Sequence, residues 1–520
     1  MLHSIANFEL SASESFQSQL NTWLVGTRWY ANKTDRSPAQ IQAEFLLAAE
    51  DRAAVKLLIV DSLTNRYFVP VVLRARRRDE RQGEAASSVI GVVGNNVSTD
   101  ELVEIIDATD DRFGQLTLLR CCFGAESTDA RTGEIIRSSV LHARLDQLPQ
   151  ISSIEKMRAE QSNTSLVYHF AQADSFGTAG LIMKLLRIVQ IGNNPDVELQ
   201  TALDTREPRT VARQYASARV ALGKVALGKT ATERVVPDEV ALGEARPEGI
   251  APEGMANSVT AFVRSADAGY ADMLVAQEFL SGSVDAWQVF VQEVEQVTQK
   301  PQNPQDLRTL GQLTADFHAQ LRELFPLEIA SENTKASIVR RWEERAQRAI
   351  ECAPELGARI NDMRAIFAAA TDAQWPDLQR IHGDYHLGQV LRVPNQGWKA
   401  VDFEGEPIRP LPERVQPDLA LRDVAGMLRS FDYVAGAAEL NGKPASFTRA
   451  WAQEAKSLFL AGYGAISPEE EGLLAALTLE KSLYEVAYEA SYRPRWLQIP
   501  IAAVHEILNS YISSSVNSPR

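Results

Sequence analysis

HGDYHLGQVLRVPNQGWKAVDFEGEP, residues 382–407, is the stretch whose reading decides the fold. It sets an aspartate, Asp384, five residues before an amide, Gln389. A turn (PNQG) and a short apolar run (WKAV) then deliver a second aspartate, Asp402. Taken alone, HGD is a common turn, and Asp402 in VDFEGEP reads equally well as a strand-end turn residue. His382 and His386 stand four apart, but Gly383 between them is poor for a helix and no HExxH glutamate is present. A zinc pair is therefore disfavoured.

Transfer of a phosphoryl group from ATP asks little covalent chemistry of a protein. It needs a carboxylate to orient the acceptor hydroxyl, oxygen donors for Mg2+, and a cation on the non-transferred phosphates. A D-x4-N loop followed by a separate aspartate meets the first two needs, and Asp384-x4-Gln389 has that spacing. Glutamine replaces asparagine and still offers a hard carbonyl oxygen to Mg2+.

The order of the remaining motifs supports this reading. Upstream lie a polar segment, QSNTS (161–165), and an apolar run with one lysine, Lys184 in LIMKLLR. Then come a helix opened by Asn-Pro that carries Glu198 (NPDVELQ), and a buried-strand pattern, MLVAQEFL (273–280). This succession matches a protein-kinase-like fold. No glycine-rich loop is present, so QSNTS would hold phosphates through backbone N–H groups and hydroxyls.

A chain of 520 residues exceeds what one core usually organises, so two or three domains are expected. The predicted class is α+β: bilobal and protein-kinase-like, with a β-rich N-terminal cap and front lobe and a mostly helical C-terminal lobe. Strand patterns at 41–47, 54–60 and 67–73 precede a charged break at 74–84, which sets a cap at 1–87. A nucleotide-binding front lobe follows at 88–280 and a helical lobe at 281–520. Trp23, Trp29 and Tyr30 read as core, and so does His318 on an amphipathic helix.

Residues 205–258 read as a low-complexity insert with repeated VALGK and PEG units. Inside it, GKVALGKT (223–230) matches GxxxxGK[ST]. The repeat accounts for the match, and the preceding ARQYASAR does not read as the buried strand such a loop requires.

Lys+Arg number 53 against 68 Asp+Glu, a net charge of −15, and no long basic stretch occurs. Nucleic-acid and membrane-surface partners are disfavoured. Three cysteines without metal spacing (Cys121, Cys122, Cys352) fit a reducing cytoplasm. The start reads as no signal peptide, and no apolar run reaches the ~18 residues of a membrane span.

LGQLTADFH, IHGDYHLGQVL and VDFEGEP together resemble the aminoglycoside-phosphotransferase-like kinases. WLVGTRWYANK, EQSNTSLVY, NPDVELQ, LRDVAGMLRSFDYV, EKSLYEVAYEA and RPRWLQIP narrow the resemblance to the bacterial maltokinases. The insert at 205–258 departs from that pattern. The resemblance implies phosphorylation of maltose on its anomeric hydroxyl, with ATP and Mg2+, to feed α-glucan synthesis. Asp384 would be the base, Gln389 and Asp402 the Mg2+ ligands, and Lys184 the phosphate cation, paired with Glu198. Gln161, Ser162, Asn163, Thr164 and Ser165 would cover the phosphates. Gln277, Glu278 and Phe279 would form the adenine hinge, mainly through backbone groups.

A sugar site asks for planar polar groups and an aromatic platform. The tail offers Tyr484, Glu485, Tyr488 and Glu489 as i, i+4 pairs on a helix, then Arg493 and Trp496. The tyrosines read equally well as core and the glutamates as a solvated face. His382 and Glu404, beside the two aspartates, are further substrate candidates. Two other readings stay open: a kinase of this fold acting on glucosamine or another amino sugar, and a non-catalytic kinase-fold partner of trehalose synthase.

Overall fold

The computed structural model describes residues 5–31, 33, 37–77, 88–94, 101–124, 127–128, 135–157, 163–222, 269–296, 300–406 and 409–517. The chain forms two compact units. The first holds residues 1–197 and 213–281, the second 198–212 and 282–520.

The first unit opens with α1 (Glu14–Gly26), whose N-terminus is capped by the Ser13 hydroxyl accepting from the Phe16 N–H. Five strands follow: β1 (Gln40–Glu50), β2 (Ala53–Asp61), β3 (Arg66–Arg77), β4 (Val89–Gly94) and β5 (Glu101–Asp107). They form an antiparallel sheet in the order β1-β2-β3-β5-β4.

Strand β2 shows why its sequence, AAVKLLIVD, is almost continuously apolar. Ala54, Leu58 and Val60 pack with Phe16, Leu20 and Leu24 of α1. Val55, Leu57 and Ile59 point to the opposite face, where they meet α2 (Arg112–Phe123) through Leu118, Leu119 and Cys122. Both faces of the sheet are covered, so the usual polar alternation disappears. Trp29 and Tyr30 are buried in the first of these cores, beside Tyr67. Strands β4 and β5 extend the sheet past residue 87. Strands β3 and β4, on either side of the expected boundary near residue 87, thus belong to one sheet, a correction to the expected cap.

The second sheet of this unit has seven antiparallel strands. They are β6 (Ser127–Thr128), β7 (Ile135–Val140), β8 (Ile151–Lys156), β9 (Asn163–Phe170), β10 (Gly180–Leu186), β11 (Gln214–Ala221) and β12 (Tyr270–Glu278), in the order β6-β7-β11-β12-β10-β9-β8. Helix α3 (Pro195–Leu203) follows β10. Strand β11 corrects the expected insert, because QYASARVA is buried and paired with both β7 and β12. A buried strand therefore does precede the GxxxxGK[ST] look-alike. The look-alike itself, and the rest of 223–268, lies outside the described residues.

In the second unit, β13 (Val284–Asp285) leads into α4 (Ala286–Gln296), α5 (Pro304–Leu324), α6 (Glu332–Cys352) and α7 (Ile360–Asp372). The hairpin β14 (Val390–Val393) and β15 (Gly397–Ala400) joins β13 in a three-stranded sheet. Then follow α8 (Leu411–Arg414), α9 (Leu421–Leu440), α10 (Ala445–Tyr463), α11 (Pro468–Tyr492) and α12 (Gln498–Asn517). Every residue from 421 to 431 is buried, so the first half of α9 is enclosed all round. Its Phe431 meets Phe290, Trp451 and Phe459 from α4 and α10. No helix among the described residues is long and apolar enough to cross a membrane.

Candidate active site

The loop at 382–389 is irregular, and helix α9 holds it from one side. The buried Asp423 carboxylate accepts from the backbone N–H groups of His382 (2.8 Å) and Gly383 (2.9 Å). Three residues on, Gly426 leaves room for the Tyr385 carbonyl; a Cβ there would sit 2.5 Å from that oxygen. Ser430 Oγ accepts from the Leu387 N–H at 3.0 Å. Positions 423, 426 and 430 share one helix face, so a single stripe of α9 shapes the loop. His318 Nε2 also lies 3.1 Å from Asp423, and its Nδ1 lies 3.1 Å from the Tyr463 hydroxyl. This is the packed, hydrogen-bonded histidine that its helix pattern suggested.

His382 is not placed to read a substrate. Its Nε2 lies 3.0 Å from the Val401 carbonyl and its Nδ1 faces the Asp384 N–H at 3.4 Å. It is buried, and its ring lies against Phe403. The imidazole ties the loop to the chain that follows β15, a structural role in place of the expected substrate contact. His386 is held below the ordinary imidazole pKa by burial, and its Nδ1 accepts from the Gly388 N–H.

Gln389 and Asp402 come together as the sequence reading required. The Gln389 Nε2–H donates to Asp402 Oδ2 at 3.0 Å. Asp402 has φ +66°, a region a non-glycine residue seldom adopts, between a strand end and the turn at Gly405 (φ +74°). Strain of this kind gathers at functional positions. The pair also passes a chemical test for Mg2+. A carboxylate and an amide are both hard-oxygen donors, and an end-for-end turn of the amide presents Oε1 instead of Nε2. Glu404 contributes its backbone carbonyl to Arg414 Nη1 at 2.9 Å.

The contacts of Asp384 lead to residues that the sequence reading missed. Lys481 Nζ on α11 lies 3.3 Å from Asp384 Oδ1 and 3.3 Å from Glu406 Oε1. Glu406, only 3% exposed, also accepts from Arg345 Nη2 (2.8 Å) and Arg409 Nε (2.9 Å). Arg345 reaches Glu480 (2.5 Å), which reaches Arg422 (3.1 Å). Arg422 binds Asp418 (2.9 Å), and Asp418 lies 3.5 Å from Arg409.

Glu406, Arg345, Glu480, Arg422, Asp418 and Arg409 thus close a ring of alternating charge, with Lys481 linking it to Asp384. Burial raises the Glu406 pKa, but Lys481, Arg345, Arg409 and Arg422 outweigh it and hold the carboxyl well below the usual range. Burial likewise opposes the charge on Lys481, yet Asp384, Glu406 and Glu485 keep its pKa above the ordinary lysine value. Its charged form is thus favoured beside Asp384. The one sequence-level signal was a lysine amid the apolar pattern of LTLEKSLYEV.

The tail residues divide. Glu485 and Glu489 are buried and taken by protein partners. Glu485 accepts from Arg429 Nε (2.8 Å), and Glu489 accepts from the Tyr433 hydroxyl (3.0 Å) and Arg493 Nη2 (2.6 Å). Burial outweighs Arg429 and Lys481 and raises the Glu485 pKa. These two carboxylates fasten α11 to α9 through Arg429 and Tyr433. Trp496 stacks on Tyr433 with centroids 6.1 Å apart. Tyr484 and Tyr488 do share a face and stack at 6.3 Å. The Tyr484 ring lies 5.0 Å from Lys481 Nζ and 4.8 Å from the Arg345 guanidinium, and burial pushes its phenol up to about 12.

In the first unit, Lys184 sits mid-strand in β10, opposite Ser165 of β9 and Val275 of β12. Its Nζ lies 3.1 Å from Asp196 Oδ2. Glu198, the partner expected from the sequence, also accepts from Arg380 Nη1 at 2.6 Å. Asp196 went unnoticed because Asn-Pro-Asp reads as a helix start.

Gln161 and Ser162 lie outside the described residues. Asn163, Thr164 and Ser165 belong to β9 rather than a loop. Thr164 Oγ1 accepts from Arg187 Nε (2.9 Å) and Ser165 is fully buried, so neither forms a phosphate cover. At the expected hinge, the Glu278 N–H donates to Arg213 O (2.8 Å) and the Phe279 N–H to Gly180 O (2.9 Å). Two expected adenine donors are thus already paired. Gln277 is buried between β10 and β11.

Residues 280–456 match the phosphotransferase enzyme family (APH), and residues 23–111 match the maltokinase N-terminal cap domain. A glucosamine kinase of Mycolicibacterium smegmatis is 29% identical over 48% of this chain and 66% of its own length. One from Streptacidiphilus jiangxiensis is 27% identical over 44% and 56%. The chain thus spans less than two thirds of either relative. A solved glucosamine kinase structure superposes with a TM-score of 0.61 at 17% identity, covering 96% of this chain and 99% of that one. Another, in complex with glucosamine, ADP and inorganic phosphate, gives 0.60 at 17%, covering 96% and 100%. The chain thus joins a maltokinase-type N-terminal cap, at 23–111, to a region of the phosphotransferase enzyme family, at 280–456, that contains Asp384, Gln389 and Asp402.

Proposed function

We propose that the chain transfers the γ-phosphoryl group of ATP to maltose at its anomeric hydroxyl, giving maltose 1-phosphate for α-glucan synthesis. The observation that carries the choice of acceptor is Lys481, 3.3 Å from Asp384. An amino sugar would bring its ammonium toward a cation that stays charged, at a Coulomb cost that grows with desolvation. A neutral disaccharide meets no such repulsion. The cap match supports the same reading, while the glucosamine kinase relatives keep that sugar in the comparison.

Asp384 accepts the anomeric proton as the sugar oxygen forms its bond to the γ-phosphorus. The bond from that phosphorus to the bridging oxygen breaks, and ADP leaves. Gln389 and Asp402 would hold Mg2+, which neutralises charge on the phosphate oxygens. Lys184, oriented by Asp196, supplies the cation for the non-transferred phosphates. The work is done in the cytoplasm, where Cys121, Cys122 and Cys352, all free thiols, stay reduced.

The test is an acceptor panel with purified protein, ATP and Mg2+: maltose, glucose, glucosamine and an aminoglycoside, with products read by 31P NMR. Maltose 1-phosphate is expected, and Asp384→Asn should slow its formation by roughly 10²–10⁴-fold. Consumption of glucosamine with maltose untouched would refute the acceptor. Failure to phosphorylate any member of the panel would refute the kinase.

A further inference from the structure

Tyr484, Tyr488 and Tyr492 fall at i, i+4 and i+8 on α11 and so line one face of it. Their rings form a continuous ladder, with centroids 6.3 Å apart for the first pair and 4.9 Å for the second. The inner ring is partly buried, Tyr488 is 36% exposed and Tyr492 is 70% exposed. The inner ring also lies 5.0 Å from Lys481 Nζ, the atom that touches Asp384. The ladder therefore starts beside the base and runs outward to the surface. Single exposed apolar residues need no explanation, but a graded aromatic row continuous with a reactive carboxylate does. Arg493 reinforces it: its guanidinium lies 5.5 Å from the Tyr488 ring and is anchored 2.6 Å from Glu489.

We infer that the acceptor site continues along this ladder and takes neutral α-linked gluco-oligosaccharides longer than a disaccharide, with Tyr492 as the outermost platform. The inference rests on the proposed sugar-kinase reading and extends it to acceptor length. If the reducing-end hydroxyl is at Asp384, each added glucose must extend from the non-reducing end, away from the base. The eight residues from Tyr484 to Tyr492 cover about 12 Å of helix at 1.5 Å per residue. Tyrosine rings give flat apolar faces to sugar C–H groups at little conformational cost, with hydroxyls at the rim. The cation at the inner end and the absence of any acidic side chain in the row both favour an uncharged ligand.

The experiment compares maltose, maltotriose and maltotetraose as acceptors for the full chain at saturating ATP. KM should fall with length while kcat stays nearly level. Tyr492→Ala should raise KM for maltotetraose roughly tenfold more than for maltose, the worth of one good aromatic contact. Tyr492→Phe, which keeps the ring, should restore the preference. Equal KM values across the series, or a Tyr492→Ala effect equal for short and long acceptors, overturns the inference and leaves the kinase standing. If no acceptor in the series is turned over, the kinase reading fails instead. Calorimetric titration of maltotetraose without ATP then decides the ladder: binding lost in Tyr492→Ala supports it, and no binding to the wild-type chain overturns it.

Discussion

Replacing Glu406 with glutamine removes one negative charge from the centre of the buried ring while keeping the side-chain shape. Glu406 has three cationic contacts, at 2.8, 2.9 and 3.3 Å. At an effective dielectric near 20, each attracts by about 5 kcal/mol. The desolvation of the carboxylate offsets much of that sum, and removal of one partner from a buried charge set usually costs about 3–5 kcal/mol. Glutamine still offers a carbonyl oxygen to one guanidinium, so about 3 kcal/mol is expected. For a unit of this size that lowers Tm by roughly 6–12 °C.

The sign with pH follows from the depressed pKa. Stability due to the Glu406 charge is fully present above about 4.5 and is lost as pH falls through its lowered folded value. Thermal unfolding at pH 7, at pH 5 and in acid should therefore show a constant gap between wild type and Glu406→Gln at the first two, narrowing only in acid. Adding Lys481→Met should recover part of the loss, since an unpaired buried cation is removed. A Tm unchanged within about 2 °C at pH 7, or a gap that widens on acidification, would refute the electrostatic account of the ring.

Two further outcomes follow from the loop and the look-alike motif. Asp423→Ala leaves the His382 and Gly383 N–H groups and His318 without their acceptor. It should cost about 3 kcal/mol in urea unfolding and lower kcat more than it raises KM. A stable, fully active Asp423→Ala protein would contradict the clamp. Lys229→Ala, in the GxxxxGK[ST] match, should leave ATP turnover within about twofold of wild type; loss of turnover would move the phosphate site there.

Several long helices of the second unit were legible because they show an apolar stripe at helical period, and some carry clear end signals. Ser467-Pro468-Glu469-Glu470 before α11 is one such signal, and the structure shows it as a reciprocal capping box. Strand β11 was missed because QYASARVA carries small and charged residues among its apolar ones and lies beside a repetitive segment. Its burial comes from β7 and β12, far away in sequence. The approach of Gln389 to Asp402 was readable because the two lie close together in the sequence. Lys481, Glu406 and Asp423 were not, since each acts through a partner 40 to 97 residues away. At the tail, Glu485 and Glu489 stand four apart, and their contacts with Arg429 and Tyr433 of α9 could not be paired by periodicity.

What unites these misses is that polarity inside an apolar helix carries the information. LRDVAGMLRS in α9 contains an aspartate, a glycine, two arginines and a serine within a segment buried throughout. A helix enclosed on all sides has no reason of its own to keep them, since each polar group costs desolvation unless it is paired. Each has a task in the structure: Asp423, Gly426 and Ser430 hold the loop of Asp384, Arg422 enters the ring beneath Lys481, and Arg429 fixes α11 through Glu485. Asp402, a non-glycine residue at positive φ, holds a conformation that local preference alone would not keep. The same helix thus secures the proposed base through its loop and the proposed acceptor platform through α11, so a change in acceptor preference should be reachable from α9 without touching a residue proposed to meet the sugar.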